Sequence, residues 1–188
     1  GSGLGSIGLL AGVGARASSA PEQRQVLSDQ IAKIAAELGM SLSEIVWSLR
    51  PGSEQLSNLA SYLKERAHLL FDSSRVRFET VFPENWPDLA LSLPMQRNLM
   101  AIALEALGNA ARHARPTRIE LGIQPGQRGW LMWVEDDGLG LAAGVDAGTG
   151  MGLENMRRRA QEIGGEIEIG PGSGNNGTRV QISFDPSR

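Results

Sequence analysis

The chain predicts an α+β fold, a helical hairpin followed by an α/β sandwich in which one mixed sheet is covered on one face. Three observations carry this. Apolar residues recur at helical spacing from Leu27 to Leu49, and short β-branched runs appear after residue 75. Those runs are grouped among helical stretches rather than alternating with them one for one. The length, 188 residues with 41% hydrophobic and 21% charged, suits one or two domains with a sizeable core. A formal net charge of −3 gives no global field to recruit nucleic acid or anionic lipid. No cysteine is present, which excludes disulfides, thiolate chemistry and Cys-based metal sites and suits a cytoplasmic setting.

In order along the chain, Leu4, Ile7, Leu10 and Val13 fall at helical spacing until Ser18-Ser19-Ala20-Pro21 breaks the pattern. Residues 1 to 15 are uncharged and contain Gly8-x-x-x-Gly12. They fall short of the ~20 apolar residues a membrane span needs, and they lack the basic start of a signal peptide. Gly1-Ser2 reads as a cloning remnant, so a fragment is expected. Leu27, Ile31, Ile34, Leu38, Leu42, Ile45 and Leu49 then form a heptad-like stripe. Two helices cannot bury such a stripe all round, so a second copy is expected to complete a four-helix bundle, as a homodimer. This first domain covers 1–50, and Pro51-Gly52 marks the boundary to a second, 51–188.

In the second domain Ser53 is expected to cap a helix from about Glu54 to Phe71. Val76, Phe78 and Thr80 alternate with charged residues as a half-buried strand. A helix follows from Pro94 to Ala114, with Leu99, Ile102, Ala106 and Ala110 on its apolar side. Strands are predicted around Ile119–Ile123 and Trp130–Glu135, and a helix from about Gly152 to Ile163, ended by Gly164-Gly165. Two last strands, Glu166–Ile169 and Thr178–Phe184, are joined by a loose loop from Pro171 to Gly177. The tryptophans Trp47, Trp130 and Trp133 read as packing residues, and Arg157-Arg158-Arg159 as a solvated helix face.

The chemistry concentrates in two stretches. In "EALGNAARHA", Glu105, Asn109, Arg112 and His113 stand at i, i+4, i+7 and i+8, on one helix face. An amide oxygen is a hard ligand for Mg2+, and a neighbouring cation can meet phosphate. Asn is also a poor helix former and needs a reason to sit mid-helix. The second stretch is "VEDDGLGLAAGVDAGTGMGLENM". Asp136 at a strand end can accept a hydrogen bond from an exocyclic amine, and Gly138 and Gly140 admit a flat ligand. Gly148, Gly150 and Gly152 lead into a helix whose N-terminal N–H groups favour an anion. A dinucleotide fingerprint over Gly138–Ala143 is the rival, but it should open a helix at once and sit in a repeating βαβ pattern, which is absent.

Together "EALGNAARHA", "DDGLG", "GTGMGLENM" and "GTRV" resemble the N, G1 and G2 boxes and terminal Thr motif of the GHKL ATPases, in the version of two-component sensor histidine kinases. "GLGSIGLLAGVGARA" and "LSEIVWSLRPGSEQLSNLASYL" resemble the dimerisation domain of kinases whose regulators carry helix-turn-helix output domains. The resemblance implies a Bergerat-type sandwich after the bundle, and ATP and Mg2+ as cofactors. It implies that Asp136 accepts from the adenine amine with support from Thr178, and that Asn109 binds Mg2+. Glu105 would orient the metal or act as base, and Arg112 and His113 would face the phosphates. Gly138 and Gly140 would admit the base. Gly148, Gly150 and Gly152, with Leu153, would frame a lid of residues 141–147. The implied partners are a second copy and a response regulator with a receiver domain, with no nucleic acid, and a membrane reached only through upstream segments.

One departure stands out. Kinases of this kind open the dimerisation helix with His-Asp-x-Leu-Gly, where the His takes the phosphoryl group. Here Leu4-Gly5 match, but Gly1 and Ser2 stand in place of His and Asp. The chain is therefore expected to bind ATP but not phosphorylate itself, the acceptor being either cut away or replaced. Ser6 occupies the position where phosphatase activity wants Gln or His. Two other readings are a non-catalytic nucleotide-binding dimeric scaffold and a GHKL serine kinase that inhibits a sigma factor. The long heptad hairpin argues against the last.

Overall fold

A computed structural model describes residue 47 and residues 52–72, 75–127, 129–140 and 151–187. The chain divides into two compact units, Gly1–Arg50 and Pro51–Arg188. The expected hairpin within 1–50 and the expected lid, with Gly148 and Gly150, lie outside the described residues.

The second unit runs α1 (Leu56–Phe71), β1 (Arg77–Val81), α2 (Leu93–Asn109), a π turn (Ala110–Ala114), β2 (Arg118–Gly126), β3 (Gly129–Asp136), α3 (Met151–Glu162), β4 (Glu166–Pro171) and β5 (Thr178–Phe184). The strands form one sheet in the order β1-β2-β3-β5-β4. Only β1 and β2 pair in parallel, so the sheet is mixed, as expected.

Alternation along the strands sorts the two faces. Ile119, Leu121, Ile123, Met132, Val134, Val180, Ile182 and Phe184 are buried. They meet the apolar stripe of α1 (Leu56, Leu59, Ala60, Leu63, Ala67, Phe71) and the buried side of α2 (Met95, Leu99, Ile102, Leu107). Helices α1, α2 and α3 contact β1, β3 and β4 respectively. The other face carries a polar band in which Arg118 bridges Glu79 and Glu120, and Arg179 pairs with Glu135 at 2.6 Å. Trp133 lies in that band over Gly122, where a Cβ would come within 2.0 Å of the indole ring, so only glycine fits there. Its Nε1–H donates to Glu120 at 2.8 Å, and the Arg179 guanidinium sits 4.7 Å from its ring centroid. Trp130 stacks on Trp86 at 6.3 Å. Both tryptophans pack, as expected.

Two helix ends differ from the sequence expectation. Ser53 does not cap α1. Gln55 holds the cap position without a side-chain bond. The Leu56 N–H instead finds the Leu89 carbonyl at 2.9 Å, through a bridge formed by Gln55 and Ala90. The Ser53 carbonyl accepts from the buried Gln96 amide. A tertiary partner has replaced the local cap. At α2 the side-chain cap is Ser92, accepting from the Met95 N–H, with Pro94 in the first turn. The expected single helix to Ala114 stops being α-helical at Asn109 and closes in the π turn, after which Arg115 adopts φ 49°. Pro116 bars Arg115 from the right-handed helix, and the Leu139 N–H holds the Ala114 carbonyl at 2.8 Å. Such π turns recur at functional sites.

Candidate functional site

The C-terminal end of α2, the ends of β3 and β5 and the N-terminus of α3 converge. Strand β3 ends at Asp136, which pairs with Ile119 of β2. The residue is 6% exposed, and its carboxylate accepts the Gly138 N–H at 2.9 Å. Burial pushes the Asp136 carboxyl above its usual range. The backbone N–H groups of Gly138 and Thr178 pull it back in part, while the charges of Asp137 and Glu135 push it further up. Thr178 therefore supports Asp136 through its backbone.

Neighbouring backbone crowds this carboxylate. A Cβ on Gly177 (φ +68°) would lie 1.8 Å from the Asp136 carbonyl oxygen, and one on Gly138 would lie 2.1 Å from the Ala114 carbonyl oxygen. Gly140 (φ +71°) would meet the Gly177 carbonyl at 2.9 Å. The glycines thus let three backbone segments touch around Asp136.

Two further carboxylates fix the segments. Asp137 Oδ1 accepts the N–H groups of Thr117 at 2.7 Å and Arg118 at 2.8 Å, and Oδ2 accepts the Thr117 hydroxyl at 2.5 Å. Burial raises its pKa, but these donors outweigh that and hold the group below its usual range. Glu135 accepts the Ser173 N–H and hydroxyl, each at 2.9 Å, and Arg179 at 2.6 Å. Here too burial raises the pKa, and the donors win and lower it. The Pro171–Gly177 loop, expected to be loose, is therefore pinned to β3.

At the end of α2 and in the π turn that follows it, Glu105, Asn109 and Arg112 come together as the spacing predicts. The Arg112 Nη2 donates to Asn109 Oδ1 at 3.0 Å and lies 3.7 Å from Glu105 Oε1. Glu105 also reaches α3, since a Cβ on Gly152 would sit 2.3 Å from Glu105 Oε1. Leu153 follows in the same first turn, half-buried, and His113 is exposed in the π turn. Helix α3 is tied to α2 once more by Arg159, which donates to Asn98 at 3.2 Å. Sequence reading missed Asp137, Gly108 and Gly177 as site-shaping residues. The doubled Asp and the helix-interior Gly were visible, but their partners lie far along the chain or one turn away.

Residues 95–188 match the family model described as "Histidine kinase-, DNA gyrase B-, and HSP90-like ATPase". This chain belongs to that family. Its curated relatives include sensor proteins and histidine kinases. The nitrate/nitrite sensor protein NarQ of Escherichia coli is 31% identical over 144 residues, covering 76% of this chain and 25% of NarQ. The histidine-protein kinase/phosphatase UhpB of Salmonella typhimurium is 37% identical over 98 residues, covering 52% of this chain and 19% of UhpB. The sensor histidine kinase LiaS of Bacillus subtilis is 28% identical over 151 residues, 79% of this chain and 40% of LiaS. The chain thus spans well under half of these relatives. Among solved structures, the histidine kinase domain of the Erythrobacter litoralis EL346 blue-light activated histidine kinase superposes with a TM-score of 0.61 at 19% identity. It covers 98% of this chain and 94% of its own. Acinetobacter baumannii AdeS gives 0.62 at 14%, over 99% and 96%. At such identities the structures speak for the fold.

Proposed function

We propose that this chain is the dimerisation and ATP-binding core of a protein-histidine kinase of a two-component system. The parent kinase would pass the γ-phosphoryl group of ATP to a histidine, in whose motif position this chain has Gly1, and thence to an aspartate on the receiver domain of a response regulator. The observation that carries the reading is Asp136, a buried carboxylate at a strand end among glycines that bring backbone into contact around it. Burial of an acid with a raised pKa is costly and marks a group kept for a ligand. The adenine amine donates to Asp136, and Gly138, Gly140 and Thr178 shape the base site. Arg112 and His113 face the phosphates, with Gly148, Gly150, Gly152 and Leu153 around the lid.

The oxygen donors Asn109 and Glu105 suit Mg2+, which takes one or two protein ligands and completes its shell from phosphates and water. When bound, Mg2+ neutralises phosphate charge. Asn109 would hold it and Glu105 would orient that end of the site. Residues 1–50 supply the dimer, and the chain acts in the cytoplasm. Among the described residues no helix is long and apolar enough to cross a membrane.

Calorimetric titration of ADP and a non-hydrolysable ATP analogue, with and without Mg2+, tests the reading on wild type and Asp136→Asn. Saturable binding at one site per chain is expected, weakened in the variant by up to the ~1.5–3 kcal/mol of a charged hydrogen bond. Absence of binding by the wild type would overturn the proposal.

A further inference from the structure

Glycine is the poorest helix former after proline, yet Gly108 sits inside α2. The structure gives a reason for it. A Cβ at Gly108 would lie 3.0 Å from Arg112 Nη1, 3.3 Å from Nη2 and 3.4 Å from Cζ. The missing methyl leaves room for the Arg112 side chain to fold back along the helix. There its guanidinium donates to Asn109 Oδ1 at 3.0 Å, with Glu105 Oε1 3.7 Å away. One cation therefore sits on the two oxygens proposed to serve the metal end of the site. The contact is half-exposed, with 52% of the Arg112 side chain accessible, so it can be broken at modest cost.

We infer that Arg112 is a positioning residue that sets the Mg2+ requirement of nucleotide binding, its guanidinium competing with the metal for the amide oxygen of Asn109. The inference rests on the reading that Asn109 is the metal ligand. In the folded-back position the guanidinium neutralises Glu105 and orients Asn109. When a magnesium-bound nucleotide arrives, the guanidinium yields Oδ1 and has the phosphates as its new partner. Gly108 enables the first position, and the half-exposed stem of Arg112 allows the second.

The test is titration of ADP at a series of magnesium chloride concentrations on wild type, Gly108→Ala and Arg112→Gln, with thermal melting alongside. Alanine favours the helix, so Gly108→Ala is expected to melt no lower than wild type. The methyl makes the guanidinium give way by a few tenths of an ångström and loosens its bond to Asn109, and the Mg2+ concentration giving half of the full effect is expected to fall by about two- to fivefold, the scale of a half-exposed ion pair. Arg112→Gln is expected to weaken ADP binding without Mg2+, while Mg2+ tightens its binding by a larger factor than in wild type. An unchanged Mg2+ midpoint in Gly108→Ala overturns the inference. So does an equal loss with and without Mg2+ in Arg112→Gln, the signature of a plain phosphate contact. A wild type that binds no ADP at any Mg2+ concentration overturns the nucleotide site itself, and this inference with it.

Discussion

Asp137 offers a sharp perturbation because its two oxygens have different partners. Oδ1 accepts two backbone N–H groups, from Thr117 and Arg118, and Oδ2 accepts the Thr117 hydroxyl. An asparagine placed with its oxygen at Oδ1 keeps both backbone bonds, and its NH2 can donate to the Thr117 hydroxyl oxygen, which rotates to accept. Asp137→Asn is therefore expected to stay within about 1 kcal/mol of wild type at neutral pH. Asp137→Ala leaves two backbone donors and a hydroxyl to water, since the site is exposed at the surface. Its loss is about 1.5–3 kcal/mol, the range for hydrogen bonds to a charged group. For a unit the size of Pro51–Arg188 that lowers Tm by roughly 5–12 °C. The pH dependence separates the two variants further. The donors depress the folded pKa, so the stabilisation is present above the ordinary Asp value of about 3.9 and is lost as pH falls through the folded value. Wild type loses this contribution in acid, and Asp137→Asn, having no proton to take up, does not. Urea unfolding monitored by tryptophan fluorescence from pH 7 down to the acid limit of reversibility reads both effects. An Asp137→Asn variant as unstable as Asp137→Ala, or one with the wild-type acid sensitivity, would refute the reasoning.

Two further outcomes test the frame around the site. Gly177→Ala places a Cβ 1.8 Å from the Asp136 carbonyl oxygen at φ +68°. Overlap with backbone and the left-handed conformation together cost about 2–4 kcal/mol. A lower urea midpoint and weaker ADP binding are expected in parallel, and an unchanged midpoint would show that the strand ends do not touch as described. Glu135→Gln removes the charge facing Arg179 while keeping an oxygen for Ser173, and is expected to lose about 1–3 kcal/mol at pH 7. Because the folded pKa of Glu135 is lowered, its contribution is present above the ordinary Glu value of about 4.3 and fades as pH falls through the folded value. The gap between variant and wild type should therefore close in acid, and a constant gap would contradict the ion pair.

Within residues 52–187 the sequence by itself determined most of the elements, the family motifs and the helix-borne cluster of Glu105, Asn109 and Arg112. Glu105, Asn109 and Arg112 meet because helical spacing places them on one face. The last strand, Thr178–Phe184, was legible because β-branched alternation between a glycine-rich loop and Asp185-Pro186 leaves little choice. Partners far along the chain are not written locally. Ser53 reads as a cap, but pairing of Gln55 with Ala90 supplies the N–H partner that the cap would have supplied. The π turn after Asn109 depends on Leu139 reaching back to Ala114. The loop after Pro171 reads as loose because glycine and asparagine favour turns anywhere, and only the sheet order, which places β5 beside β3, brings Ser173 to Glu135. Asp137 shows the same division. Composition puts two acids side by side, whereas the register of β2 against β3 buries Asp136 and hands Asp137 the N–H groups of Thr117 and Arg118. Local spacing fixes what a helix or strand presents, and strand register decides which of those groups meet.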